Sequence, residues 1–201
     1  ADMITVAGAD RVLTMDLHAG QIQGFFTIPV DEISAFGLLR DYFLARSLDD
    51  TVVVAADIGA AKKSRNFAEA LDVPLAIIEK RRTPDGDKTT ALNIMGDVKG
   101  CNTIIFDDEI DTAGTMVEAV TFLKSKGATD IYACVTHGIL SDPAAERLRD
   151  APIKEVVITN TVPVPPYKRL AKLTILSVAP LLGEVIRRIH LGVSVGELFN
   201  E

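Results

Sequence analysis

The sequence predicts an α/β fold, a mostly parallel β-sheet flanked by helices, and three observations carry that expectation. Apolar runs and amphipathic runs alternate through most of the chain, which is the punctuation of βαβ units. The apolar runs are continuous and rich in β-branched and aliphatic residues, which suits strands covered on both faces. Hydrophobic residues make up 48% of the 201 and charged residues 24%, so a packed core is expected and disorder is not.

Taken in order, residues 1–9 (ADMITVAGA) read as the closing turn of a helix, with Gly8 as its stop signal. A helix end with nothing before it leads to the expectation that an upstream portion is missing or lies on another chain. Strands are expected over residues 11–16 (RVLTMD), 51–57 (TVVVAAD), 74–79 (PLAIIE), 103–108 (TIIFDD), 130–136 (DIYACVT) and 155–159 (EVVIT). Helical patterns cover 32–46, 61–71, 114–126 and 143–149, and a last helix is expected over 179–190. Residues 80–90 (KRRTPDGDKTT) are polar, hold Pro84 and Gly86, and read as a mobile, highly charged loop. Residues 161–169 (TVPVPPYKR) carry three prolines and are expected to be an extended connection. No internal repeat is present.

The bulk numbers exclude some functions. A net charge of −7 argues against a general nucleic-acid binder, which would show a basic face. It leaves room for a phosphate ligand, because such sites rely on local amides, a few cations and bound magnesium. No apolar run approaches a membrane span, and the first residues do not resemble a signal peptide. Cys101 and Cys134 sit among apolar neighbours and read as buried, reduced thiols of a cytoplasmic protein.

The strongest chemical signal is residues 103–116, TIIFDDEIDTAGTM. An apolar strand leads into the adjacent carboxylates Asp107 and Asp108. A short loop of Asp111, Thr112, Ala113, Gly114 and Thr115 then opens a helix. Small residues let backbone approach a ligand closely, and free amides at a helix start with threonine hydroxyls can cradle a phosphate. The acid pair can accept hydrogen bonds from vicinal sugar hydroxyls. One loop could thus grip both ends of a ribose phosphate. The bland alternative is a strand-to-helix turn with acidic caps, which is common.

The whole string closely resembles the phosphoribosyl diphosphate signature of the type I phosphoribosyltransferase fold, shared by transferases and diphosphokinases. A second stretch, residues 15–31 (MDLHAGQIQGFFTIPVD), resembles the metal-binding signature of ribose-phosphate diphosphokinases, which ordinary phosphoribosyltransferases lack. Carried over, it makes Asp16, His18 and Asp31 metal candidates. Thr27 stands where that family usually has aspartate. Residues 55–63 (AADIGAAKK) resemble the family's pyrophosphate-and-magnesium loop, with Asp57 toward the metal and Gly59 and Ala60 facing the diphosphate. The family generally has two glycines there; alanine is compatible if φ stays negative. Alone, this stretch is equally well a simple turn with a capping aspartate. In EKRR, residues 79–82, the resemblance makes Lys80 and Arg82 the catalytic cations.

The resemblance covers residues 1–201, including THGILS at 136–141 and VSVGELF at 193–199. It implies transfer of the diphosphoryl group of ATP to the anomeric hydroxyl of ribose 5-phosphate, giving 5-phosphoribosyl 1-diphosphate and AMP. It implies Mg2+ as cofactor, a homo-oligomer, and phosphate and ADP as effectors, with Ser194 near an effector phosphate. Residues 1–31 would be a remnant of an amino-terminal domain and 32–201 a phosphoribosyltransferase-like domain, with the last helix free to return to the first. Much of the family's ATP-binding surface lies in an amino-terminal part not present here, so a separate amino-terminal chain is an expected partner. No nucleic acid and no membrane is expected. Two alternatives stand beside this: a nucleobase phosphoribosyltransferase, and a non-catalytic regulatory subunit of a diphosphokinase.

Overall fold

Strands form where the apolar runs lie, and helices fill the intervals. The structure, a computed structural model, describes residues 1–82 and 89–198, apart from the side chains of residues 80–82, 89–92 and 197. In chain order the elements are α1 (Asp2–Val6), β1 (Val12–Met15), β2 (Val30–Ile33), α2 (Phe36–Leu44), β3 (Thr51–Ala55), α3 (Ala61–Leu71), β4 (Leu75–Arg82) and β5 (Thr89–Met95). They continue with β6 (Asn102–Ile110), α4 (Gly114–Ser125), β7 (Ile131–Gly138), α5 (Ala144–Asp150), β8 (Glu155–Thr159), β9 (Leu173–Leu176) and α6 (Ala179–Leu191).

The chain divides into two compact units, Ala1–Gly37 with Ala179–Glu201, and Leu38–Val178. The division falls between residues 37 and 38, where the sequence places it at 31 and 32, and α6 goes with the amino-terminal unit. That unit holds a two-stranded parallel sheet, β1 against β2.

The larger unit holds seven strands in the order β5-β4-β3-β6-β7-β8-β9. All neighbours are parallel except β4 and β5. From β3 the chain moves to β4 on one side, and from β6 to β7 on the other. The reversal lies between β3 and β6, and ligands of open α/β sheets bind outside the carboxyl ends of strands at such a switch point.

Both faces are covered. On one, Phe67 of α3 stacks on Phe106 with centroids 4.0 Å apart, and Phe43 of α2 meets Phe67 and Tyr132 edge-on. On the other, Val52, Val54, Ile105, Ala133 and Val135 pack with Met116, Val120 and Leu123 of α4 and Leu148 of α5. Burial on both faces explains why β3 and β8 are buried at every position and why their sequences do not alternate.

Several expectations are corrected. The helix expected over 32–46 begins only at Phe36, because residues 30–33 pair with β1 and the Ser34 hydroxyl accepts from the Phe36 amide at 3.1 Å. The polar stretch 80–90 is not all loop: β4 runs to Arg82 and β5 starts at Thr89, joined in an antiparallel ladder. Ladder hydrogen bonds are made by backbone, so charged sequence does not prevent them. The remaining residues of that stretch, 83–88, lie outside the described residues. In the proline-rich connection, Pro166–Lys168 form a short 3-10 turn. The edge strand β9 has no counterpart in the sequence reading. Cys134 is buried, but Cys101 is only partly so, and both are free thiols. Among the described residues no helix is long and apolar enough to cross a membrane.

Candidate active site

At the switch point, β3 delivers Asp57 and β6 delivers Asp107 and Asp108. The sequence reading ends β6 at the acid pair, but pairing with β7 carries the strand on to Ile110. Asp108 is 8% exposed, and its Oδ2 lies 3.2 Å from Lys63 Nζ on α3. Asp107 Oδ1 accepts the Asp108 amide at 2.9 Å. Burial pushes the Asp107 carboxyl up to about 7; a hydrogen bond to the Asp108 side chain and the negative charges of Asp108 and Asp57 push the same way. The Asp108 amide opposes the shift. Near neutrality Asp107 therefore exchanges a proton readily, and it can either accept from or donate to a hydroxyl.

The loop after β3 is held by its own aspartate. Asp57 Oδ1 accepts the Ala60 amide at 2.9 Å, and a Cβ at Gly59 would stand 3.1 Å from that oxygen. Ala60 has φ −78°, a conformation any residue adopts, so the backbone does not require a second glycine here. The Ser64 hydroxyl, buried, donates to the Phe106 carbonyl at 3.2 Å and ties α3 to the strand bearing the acid pair.

Beyond β6 the chain turns sharply into α4. Ala113 adopts φ 61° and ψ 10°, left-handed for a non-glycine residue, with its methyl buried. Such a conformation costs roughly 1–2 kcal/mol and persists where the surroundings impose it. Asp111, Thr112, Gly114 and Thr115 are exposed around it. Ala113, at the N-cap of α4, makes no side-chain cap hydrogen bond, which suits first-turn amides that face solvent or an anion. The acid pair and this loop thus lie on one strand and the turn that follows it.

The backbone of Lys80 and Arg82 lies at the end of β4, opposite Leu92 and Thr89, with an irregularity between Arg81 and Arg82. Their side chains lie outside the described residues.

In the amino-terminal unit, Asp16 follows β1 directly with φ 42°, and its Oδ2 accepts the Ala35 amide at 2.9 Å. His18 is exposed just beyond. Asp31 is bound by Arg11 through both oxygens, one contact at 2.8 Å, so its carboxylate is turned to a cation of the chain itself. Glu32, which the sequence reading passed over, holds the segment around His18: it accepts the Leu17 amide at 3.0 Å and the Gln23 side-chain amide. Lys63 was missed in the same way. The signal for Lys63 was its place next to Ser64, which with Phe67 and Ala68 marks the inward stripe of α3.

Among the described residues no group of three or more His, Cys, Asp or Glu is gathered as a metal site. Magnesium does not need one, since it commonly takes one or two carboxylates and completes its shell with waters and substrate phosphates. Asp57, with one oxygen bonded to an amide, fits that role; Asp31, paired with Arg11, does not.

A mostly parallel sheet flanked by helices, with an acid pair and a small-residue loop at its switch point, places the chain in the type I phosphoribosyltransferase-like fold class. The chain belongs to the phosphoribosyl synthetase family: the family model described as phosphoribosyl synthetase-associated domain matches residues 83–200. A ribose-phosphate pyrophosphokinase of Caldanaerobacter subterraneus is 56% identical over 201 residues, covering 100% of this chain and 63% of that protein. One of Clostridium acetobutylicum is 52% identical over 203 residues, again covering 100% and 63%. The crystal structure of phosphoribosylpyrophosphate synthetase from Mycobacterium smegmatis superposes with a TM-score of 0.88 at 44% identity, covering 96% of this chain and 62% of that one. The chain thus spans less than two thirds of the length of these relatives.

Proposed function

We propose that the chain carries the ribose 5-phosphate side of a ribose-phosphate diphosphokinase. The anomeric oxygen of ribose 5-phosphate attacks the β-phosphorus of ATP, the bond from that phosphorus to the α,β-bridging oxygen breaks, and AMP leaves while the hydroxyl proton is lost. The observation that carries this reading is the adjacency, on one strand and its following turn, of the Asp107–Asp108 pair and the start of α4.

In this reading the amides of residues 112–115 and the Thr112 and Thr115 hydroxyls hold the 5-phosphate, where backbone donors and the helix dipole favour an anion. Asp107 and Asp108 hold the ribose hydroxyls, and the ion pair with Lys63 orients Asp108. Residues 57–60 face the diphosphate. Lys80 and Arg82 supply positive charge to the transferring group, since phosphoryl-type transfer depends mainly on alignment and charge stabilisation. Mg2+, when bound, would screen phosphate charge and align the reacting oxygens; within the larger unit Asp57 would hold it, while Asp16 and His18 are separate candidate ligands within the amino-terminal unit.

The names of the relatives at 56% and 52% identity favour the diphosphokinase over a nucleobase transferase. Titration calorimetry with ribose 5-phosphate, followed by an AMP-release assay with magnesium and ATP, tests the reading. Saturable sugar-phosphate binding is expected. Tight ATP binding with no affinity for the sugar phosphate would reject it.

A further inference from the structure

The turn between β6 and α4 is gripped from outside at both ends. Arg147 of α5 donates from Nη1 to the Thr112 carbonyl at 2.9 Å, and the same nitrogen lies 3.5 Å from where a Cβ would stand on Gly114. At the other end the Leu140 amide donates to the Ile110 carbonyl at 3.1 Å. Leu140 is itself fixed, because Lys168 donates to its carbonyl at 2.7 Å and pairs with Asp142 at 3.2 Å. The segment running from β7 into α5 is therefore a brace for the turn.

A peptide unit is planar and trans, so its carbonyl and the next N–H point in opposite directions. Holding the Thr112 carbonyl toward Arg147 fixes the Ala113 N–H on the opposite side. Ala113 is left-handed, the conformation this turn would most readily abandon if that peptide were free to rotate.

We infer that Arg147 is a positioning residue for the sugar phosphate. It acts through the Thr112–Ala113 peptide, keeping the amides at the start of α4 converged on the anion, and its charge beside Gly114 makes the turn more favourable for a dianion. The inference rests on the reading of this turn as the 5-phosphate site.

The test compares the parent chain with Arg147→Ala, Arg147→Lys and the neighbouring surface variant Arg149→Ala. Two readouts are taken: 15N order parameters of residues 112–115 without ligand, and the calorimetric Kd for ribose 5-phosphate. Arg147→Ala should lower the order parameters at Ala113 and Gly114 from the rigid range near about 0.85 toward about 0.6. It should also raise Kd by about tenfold or more, the loss expected for a charged hydrogen bond. Arg147→Lys should recover most of both, and Arg149→Ala should change neither. Unchanged order parameters in Arg147→Ala, or a Kd that rises only in step with a lowered melting temperature, would overturn the inference. Lowered order parameters in a chain whose parent binds no ribose 5-phosphate would keep the brace and remove the functional reading instead.

Discussion

Asp107→Asn should make the chain more stable at pH 8 and leave it little changed near pH 4. The native carboxyl is raised from its ordinary 3.8 to about 7, first by burial and then by its hydrogen bond to Asp108. Between those limits the native state binds more protons than the unfolded state, so stability falls as pH rises through the window. Below about pH 4 both states are protonated and the group contributes no penalty; above about 7 the penalty is complete. A rise of roughly three units at about 1.36 kcal/mol per unit gives an upper limit of about 4 kcal/mol. Asparagine keeps an oxygen to accept the Asp108 amide and removes the charge. Urea unfolding of both proteins at pH 4, 6 and 8 in magnesium-free buffer reads the difference directly. For a chain of this length, each 1 kcal/mol is worth roughly 2–4 °C in melting temperature. A stability difference that is flat with pH, or that favours the parent increasingly as pH rises, would refute the argument.

Gly96→Ala should cost about 2 kcal/mol in urea unfolding, because Gly96 has φ +108° and a Cβ there would meet Ala76 Cβ at 3.0 Å and Leu75 O at 3.1 Å. Glu155→Ala should cost about 2 kcal/mol or more. It removes an 8% exposed carboxylate and leaves Tyr42, Arg46 and Thr174, which donate to it at 2.6, 2.9 and 2.5 Å, without that acceptor. The loss should appear as a lowered urea midpoint with an unchanged slope. Lys80→Ala should lower AMP release by about a hundredfold or more while changing the calorimetric Kd for ribose 5-phosphate less than about threefold. Equal loss of both would place Lys80 in sugar-phosphate binding, and unchanged release would remove Lys80 from the transfer step.

What the sequence made legible is the part of the fold written in continuous apolar runs. Residues 155–159 and 61–71 form the elements expected of them with the same bounds. There, double-sided burial or a Ser64-Phe67-Ala68 stripe leaves one periodicity to read. The misreadings fall where backbone pairing decides. At 30–33 four residues become strand because β1 lies alongside, although the following sequence is helical. At 80–82 and 89–90 an antiparallel ladder extends through residues whose side chains favour solvent. The edge strand β9 is only four residues long and half-buried throughout, too short a window for alternation to show.

The candidate site divides along the same physical line. Asp57, Asp107, Asp108 and residues 111–115 were legible because strand, acid and turn are contiguous in sequence, so local pattern fixes their place. Lys63 on Asp108 and Arg147 on Thr112 were not, since those pairs are separated by 45 and 35 residues and are joined only by the packing of α3 and α5 on the sheet. Asp31 shows the converse: its motif assigns it to a metal, yet Arg11, two residues before Leu13, the register partner of Asp31 in the parallel pairing of β1 and β2, takes both its oxygens. A motif states which residue types a chemistry needs. Whether a carboxylate is presented to a ligand or turned to a neighbouring cation is set by strand register, and no single stretch of sequence contains that.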